Sequence, residues 1–291
     1  MSDYHLHLHE HQPSSTGPPP GTYPAGHIEA YVESAAERGI TELGFTEHLY
    51  RCAEAGPVLG AFWESKPRAD LADHTRAFVE RDRGLSLGGY VEAVLSAKDE
   101  GLPVKLGLEI DFFPETIEAV LDLIEPYPWD FLIGSVHWVG GWAIDSSDVA
   151  YEFDRRGIES AWEEYFVLEE ALARSGAVDV LAHVDVCKKY GYRPPREPVD
   201  LYASVVAAAL GSGTAVEVSS QGLRRPAAEV YPSPRFLEMF HDAGVAVTLA
   251  SDAHSPDEAG WGHDEVVGAA RRAGYTSHLR FEERRRLEVP L

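Results

Sequence analysis

The chain has 291 residues, 44% hydrophobic and 25% charged, and its 48 acidic side chains outnumber 25 basic ones for a formal net charge of -23. These values fit a folded chain with a core of normal size and exclude wholesale disorder. The acidic excess argues against long nucleic acid as a partner, because phosphate backbones are held by clustered Lys and Arg; it leaves a small phosphorylated substrate open. In chain order, residues 4–8 read as a strand and 12–24, rich in Pro, Gly, Ser and Thr, as a loop. Residues 28–38 have helical spacing and stop at Gly39, and 42–46 read as the second strand. Residues 51–87 form a long insertion without a clean period, containing Trp63 and Pro67, and read as a lid or an irregular helical excursion. Strands then follow at 104–110, 131–136, 178–182, 214–218 and 245–250. Helices are predicted at 116–124, 158–174, 201–210, 236–243 and 265–273, several of them stopping at a Gly suited to a left-handed cap. The charged tail 280–291 reads as a surface segment.

Strands alternating with helices indicate parallel βαβ units and an α/β fold. Seven such units point to a closed (β/α) barrel of seven strands, with a doubly wound sheet as the alternative. No linker divides the chain, so residues 1–291 are expected to form one domain with an insertion near 51–87. Cys52 and Cys187 are too few for a disulfide framework or a thiolate zinc motif. No leader peptide is visible, and no apolar run approaches the roughly 20 residues that span a bilayer. A cytoplasmic protein without a membrane partner is expected.

The histidines and carboxylates are not scattered. His5 and His7 alternate along the first strand, so their side chains point the same way. His48 follows the second strand, and Glu109, His137 and His183 end the third, fourth and fifth. Asp252 and His254 follow the last. A barrel builds its active site at the C-terminal ends of its strands, which is where these residues fall. Imidazole and carboxylate ligands without thiolates suit zinc, manganese or iron. There are more of them than one tetrahedral ion needs, so two or three divalent metal ions are implied. His9, His11 and Glu10 are spare candidates, and so is His263 after Gly-Trp-Gly; His74, His241 and His278 have no motif around them.

Asp3-Tyr4-His5-Leu6-His7, Phe45-Thr46-Glu47-His48, Gly107-Leu108-Glu109, Gly134-Ser135-Val136-His137, Ala182-His183-Val184-Asp185 and Ser251-Asp252-Ala253-His254 occur in that order. Together they resemble the polymerase and histidinol phosphatase (PHP) family over roughly residues 1–275. Val216 to Pro226, reading V-E-V-S-S-Q-G-L-R-R-P, and Tyr231-Pro232-Ser233 are similar to its histidinol-phosphatase branch. The resemblance implies a distorted seven-stranded (β/α) barrel. It implies one metal on His5, His7, Glu109 and Asp252, with Glu109 bridging to a second metal on His137 and His183. It also implies a third metal on His48 and His254 with a loop histidine. The family places that histidine in the loop after the first motif, where this chain instead has Pro18–Pro20 and Gly21. His27 is the nearest histidine, with His9, His11 and Glu10 as alternatives.

The implied chemistry is phosphomonoester hydrolysis. Bound divalent metals would lower the pKa of water for in-line attack on phosphorus and would stabilise charge on the equatorial oxygens. Asp252 or His254 is placed to protonate the leaving oxygen, and Asp185 and Glu47 to orient ligand histidines. Arg224 is the leading phosphate fork and is counted with the catalytic set; Lys188, Lys189 and Arg193 are further substrate contacts, or alternatively a solvated basic turn. Trp138 and Trp142 either wall the pocket or serve packing. The favoured substrate is L-histidinol phosphate, a cationic ester suited to an acidic pocket. The alternatives are a phosphoesterase acting on nucleotides or other small esters, and a non-catalytic metal-binding module.

Overall fold

Short, fully buried strands carry this molecule, and they pair in parallel. The computed structural model describes residues 1–11, 17–64 and 68–291. The part of the predicted loop at 12–16, and Pro67 of the insertion, lie outside these residues. The strands β1 (Ser2–Leu6), β2 (Glu42–Phe45) and β3 (Val104–Leu106) form one parallel sheet in that order. A second runs β10-β9-β8-β5-β4, from β4 (Glu109–Asp111) and β5 (Ile133–Ser135) through β8 (Val180–Leu181) and β9 (Ala215–Ser219) to β10 (Val247–Ala250). The numbers β6 (Trp138–Val139) and β7 (Trp142–Ala143) belong to a small antiparallel hairpin. Both faces of the parallel strands are covered, which explains their near-continuous apolar composition.

The two sheets touch at both margins. Isolated parallel bridges join Leu6 to Ala253 and His48 to Glu109. His7 N–H donates to the Ala253 carbonyl at 2.7 Å, and Glu109 N–H to the Glu47 carbonyl at 3.0 Å. Two cores result. A large one lies between strands and helices. A small one, with Tyr4, Phe131, Ile133, Val180, Ala215, Leu279 and Phe281 among its members, lies among the strands. Phe131 reaches its place because Gly44 and Gly107 have no side chain; a Cβ on either would meet its ring at 2.5 to 2.6 Å. The register of β1 on β2 shifts between Asp3 and Leu6, so Tyr4 joins the small core and Leu6 the large one.

Helices α1 (His27–Glu37), α5 (Ile117–Ile124), α7 (Ile158–Ser175), α9 (Pro234–Ala243) and α10 (His263–Ala273) agree with the periodicity. The eighth helix, α8 (Val199–Ser212), runs past Gly211 and ends at Gly213, which takes the left-handed conformation at φ 77°. The insertion contains α2 (Gly56–Leu59) and α3 (Ala69–Asp82), and a short α6 (Glu152–Arg156) precedes α7. Leu71, Thr75 and Val79 anchor α3 at intervals of four residues. The sequence reading missed α4 (Leu87–Asp99), whose first turn carries Gly88-Gly89. It is capped by Ser86, which accepts from Gly89 N–H, and buries Leu87, Tyr90, Val91 and Val94. The tail also differs from expectation. It pairs as an antiparallel hairpin, β11 (Ser277–Glu282) with β12 (Arg285–Pro290). The alternating Leu279 and Phe281 are buried against Tyr4 and Phe131, while β12 keeps the charged surface that dominates the composition. No helix among the described residues is long and apolar enough to cross a membrane.

Candidate metal centre

Asp3 ties the first motif to the last. Its buried carboxylate accepts from Ser251 N–H at 2.9 Å, Ser251 Oγ at 2.5 Å and Gly260 N–H at 2.9 Å. Burial pushes its pKa up to about 6 against those hydrogen bonds. Asp3→Ala strands three buried donors, so it should cost about 3 kcal/mol or more in denaturant unfolding. A loss within measurement error would show that the clasp is not structural.

The clasp brings the predicted ligands together. His5 Nε2 lies 3.1 Å from His7 Nε2, 3.4 Å from Glu109 Oε2 and 3.7 Å from Asp252 Oδ1. His7 Nε2 lies 3.5 Å from each of the same carboxylate oxygens. Ligand atoms about 2.1 Å from a shared tetrahedral ion stand about 3.4 Å from one another, which matches these separations. The other oxygen of Glu109 faces elsewhere: Oε1 is 3.2 Å from His183 Nε2 and 3.5 Å from His137 Nε2. Glu109 thus presents one oxygen to each of two ligand groups. His7, His48 and His254 form a further group able to hold a metal, with ring centroids of His7 4.2 Å from both partners.

These residues fit metal ions for a second reason. His48 Nε2 and His254 Nε2 are buried and have no hydrogen-bond partner among the described residues. Such orphans are costly unless something binds them. Burial alone would favour a neutral Glu109, but the surrounding imidazoles of His48, His5 and His137 hold its pKa well below the usual carboxylate range. Burial also disfavours charge on His5, but Glu217, Asp252 and Glu109 hold its pKa well above the ordinary histidine value. His183 and Asp252 both have positive φ, at 24° and 53°, so two of the gathered residues sit on strained backbone.

The structure does not bring His27 into the cluster. Its Nε2 is engaged with the Leu8 carbonyl at 2.9 Å, from the start of α1. His9 is also spent, on Glu47 and the Thr22 carbonyl. His11 is the loop histidine beside His48 and His254, its ring centroid 5.0 and 4.6 Å from theirs. The buried Arg51 steadies that loop by donating to the His9 and Glu10 carbonyls. The positioning carboxylates also differ from expectation. Asp185 holds Lys188 and Ser233 N–H, and Glu47 holds Leu8 N–H, His9 and Arg51; neither is bonded to a ring of the cluster. The ligand rings are oriented instead by Glu217, 2.7 Å from His5 Nδ1, and by Asp111, 2.8 Å from His137 Nδ1. Gln221 donates to Asp252 at 2.6 Å.

Three cavities reach the cluster, and one of them, of about 300 Å³ and lined by His9, Glu10 and His27, does so only at His254. Of the other two, one of about 210 Å³ is lined by His183, Asp252, His254, Arg224, Arg225 and Lys189, among others. A second of about 420 Å³ is walled by Tyr50, Phe78, Trp138 and Tyr190, with His74 and Arg81. Lys189 and Arg224 reach this space, but Lys188 and Arg193 do not. Lys188 is fully buried between Asp185 at 2.7 Å and Glu229 at 2.9 Å, and Arg193 pairs with Glu229 outside both cavities. Arg224 is itself held by Glu258 at 2.5 Å and lies over Trp261. Trp142 is buried and donates to the Val149 carbonyl, so it packs rather than lines. His263 is buried at the start of α10, and neither cavity includes it. Sequence reasoning missed Arg225 and His74 as lining residues. Lys188→Ala breaks a buried pair, so it should cost about 3–5 kcal/mol of stability in chemical denaturation. An unchanged unfolding midpoint with a raised KM would return Lys188 to the substrate contacts.

Parallel strands that deliver histidines and carboxylates at their C-terminal ends define a metal-dependent hydrolase of mixed α/β fold. The PHP domain model matches residues 5–221, and the chain belongs to that family. It is 30% identical over 274 residues to a probable histidinol-phosphatase of Deinococcus radiodurans, covering 94% of each chain. It is 22% identical to a probable histidinol-phosphatase of Schizosaccharomyces pombe, covering 89% of this chain and 85% of that one. In fold it is similar to histidinol phosphate phosphatase from Lactococcus lactis, solved with zinc, L-histidinol and phosphate: TM-score 0.71, 20% identity, 98% of both chains.

Proposed function

We propose that this protein is a metal-dependent phosphatase that hydrolyses L-histidinol phosphate, the phosphate-releasing reaction toward histidinol in histidine biosynthesis. The observation that carries the reading is Glu109, whose two oxygens address separate histidine groups, and the partners His48, His137 and His183 line a small polar cavity. Relatives named for histidinol phosphate, and a neighbour solved with histidinol and phosphate, support the substrate. The two sheets, bridged at both margins, read as the distorted seven-stranded barrel, with β3 and β4 counted as two halves of the strand expected at 104–110. Residues 1–291 read as a single hydrolase domain with its insertion near 51–87, and a cytoplasmic location suits the pathway.

His5, His7, Glu109 and Asp252 would hold one ion. His137 and His183 would hold a second with Glu109, and His48, His254 and His11 a third. Zinc is the leading choice, with manganese and iron suited to the same ligands. Divalent ions bound there supply Lewis acidity toward a phosphate ester and lower the pKa of water. The chain does the rest. Glu217 and Asp111 fix the rings of His5 and His137. Arg224, Arg225 and Lys189 hold the phosphate oxygens as negative charge spreads over them. Water oxygen bonds to phosphorus as the bond to the ester oxygen breaks, and Asp252 or His254 takes the proton that the attacking water loses and passes it to the leaving oxygen. The aromatic cavity takes the organic group. A panel of phosphate esters offered to the zinc-loaded protein tests this. L-histidinol phosphate should give the highest kcat/KM; a nucleotide or sugar phosphate exceeding it would redirect the assignment.

A further inference from the structure

The wall between the polar and aromatic cavities holds a salt bridge whose acidic half the hydrolytic chemistry does not use. Asp145, in the loop after β7, lies 2.9 Å from Lys189, after β8. Both line the polar cavity and the aromatic one. The other residues common to the two walls are His11, His48, His137 and Arg225, so Asp145 supplies the one acidic group there among the described residues. The Lys189 side chain is 10% exposed and that of Asp145 24%, so neither is freely solvated. Burial opposes both charges, yet their mutual attraction keeps Lys189 above and Asp145 below their ordinary pKa values.

We propose that this ion pair is exchanged for substrate: the phosphate takes Lys189, and a cationic group on the same substrate takes Asp145. The inference rests on the phosphatase reading and adds the residue that sets its specificity. Consider an ester without a cation. Its phosphate draws on Lys189 and leaves the Asp145 carboxylate half-buried, unpaired and close to the new negative charge. Such a carboxylate is expensive. An ester carrying an ammonium group replaces both partners at once. Selection thus works by penalising the wrong substrate as well as by attracting the right one. The geometry suits the division: phosphate lies with Arg224 and Arg225 on the polar side, and the amine lies at the mouth of the aromatic cavity.

The test uses the zinc-loaded protein. Calorimetry measures L-histidinol binding with and without inorganic phosphate. Phosphate should tighten histidinol binding by about fivefold or more, and Asp145→Asn should abolish that coupling. Kinetics compare L-histidinol phosphate with the same ester lacking its amine. Asp145→Asn should lower kcat/KM for the amine-bearing ester by at least about tenfold and raise it for the deaminated one. Asp145→Glu, which keeps the charge, should retain the preference and separates a charge effect from misfolding. Independent binding of the two products, or an equal fall on both esters in Asp145→Asn, overturns the exchange while leaving the phosphatase assignment intact. A wild-type enzyme inert toward both esters overturns the assignment and the exchange together.

Discussion

Glu109→Gln should lower kcat on L-histidinol phosphate by about a thousandfold or more, with little change in fold. The substitution keeps the volume of a fully buried side chain but removes its charge and one of its acceptor oxygens. His5, His7 and His48 face Oε2, and His137 and His183 face Oε1, so a single amide cannot serve both groups. Metal-centred charge stabilisation is worth several kcal/mol in a transition state. At 1.36 kcal/mol per tenfold, losing it removes about three powers of ten. The check combines steady-state kinetics with metal analysis. A variant within tenfold of wild type that keeps its full metal content would show that Glu109 does not bridge.

Chelation should have an effect on activity at least as large. Stripping the ions should abolish phosphate release and lower the melting temperature by about 10 °C. A ligand at a thousand times its dissociation constant adds about 4 kcal/mol of stability, and a domain near this size shifts about 2–4 °C per kcal/mol. The buried Nε2 atoms of His48 and His254 then lack partners. Zinc should restore both the melt and the activity. A melting temperature unmoved by chelation would mean that the cluster is self-sufficient without metal.

The strands and most of the gathered ligands were legible because both leave local marks. His5 and His7 alternate at the end of β1, His137 and His183 follow the ends of β5 and β8, and Glu109 opens β4, just past the end of β3. The residues that escaped notice have no such mark. Glu217 reads as a lone acid inside an apolar strand, and only packing places it against His5. Asp145, His74 and Arg225 lie on separate segments whose meeting depends on tertiary structure. Lys188 and Lys189 look alike in the sequence, yet a short helical turn aims one at Asp185 and the other at the cavities. His27 was the leading loop candidate, with His9, His11 and Glu10 as alternatives; the structure engages His27 with the Leu8 carbonyl and places His11 beside His48 and His254, on a loop held by Arg51. Helix α4 was hidden by two glycines in its first turn, and the buried face of the β11–β12 hairpin by the charges around it.

The central claim is that metal ions on this cluster hydrolyse histidinol phosphate. Its most direct test adds zinc stepwise to metal-free protein while phosphate release from L-histidinol phosphate is followed. Activity absent at the start should rise and reach a plateau at two or three equivalents per chain. No release at any zinc level, with release from another phosphate ester under the same conditions, would contradict it.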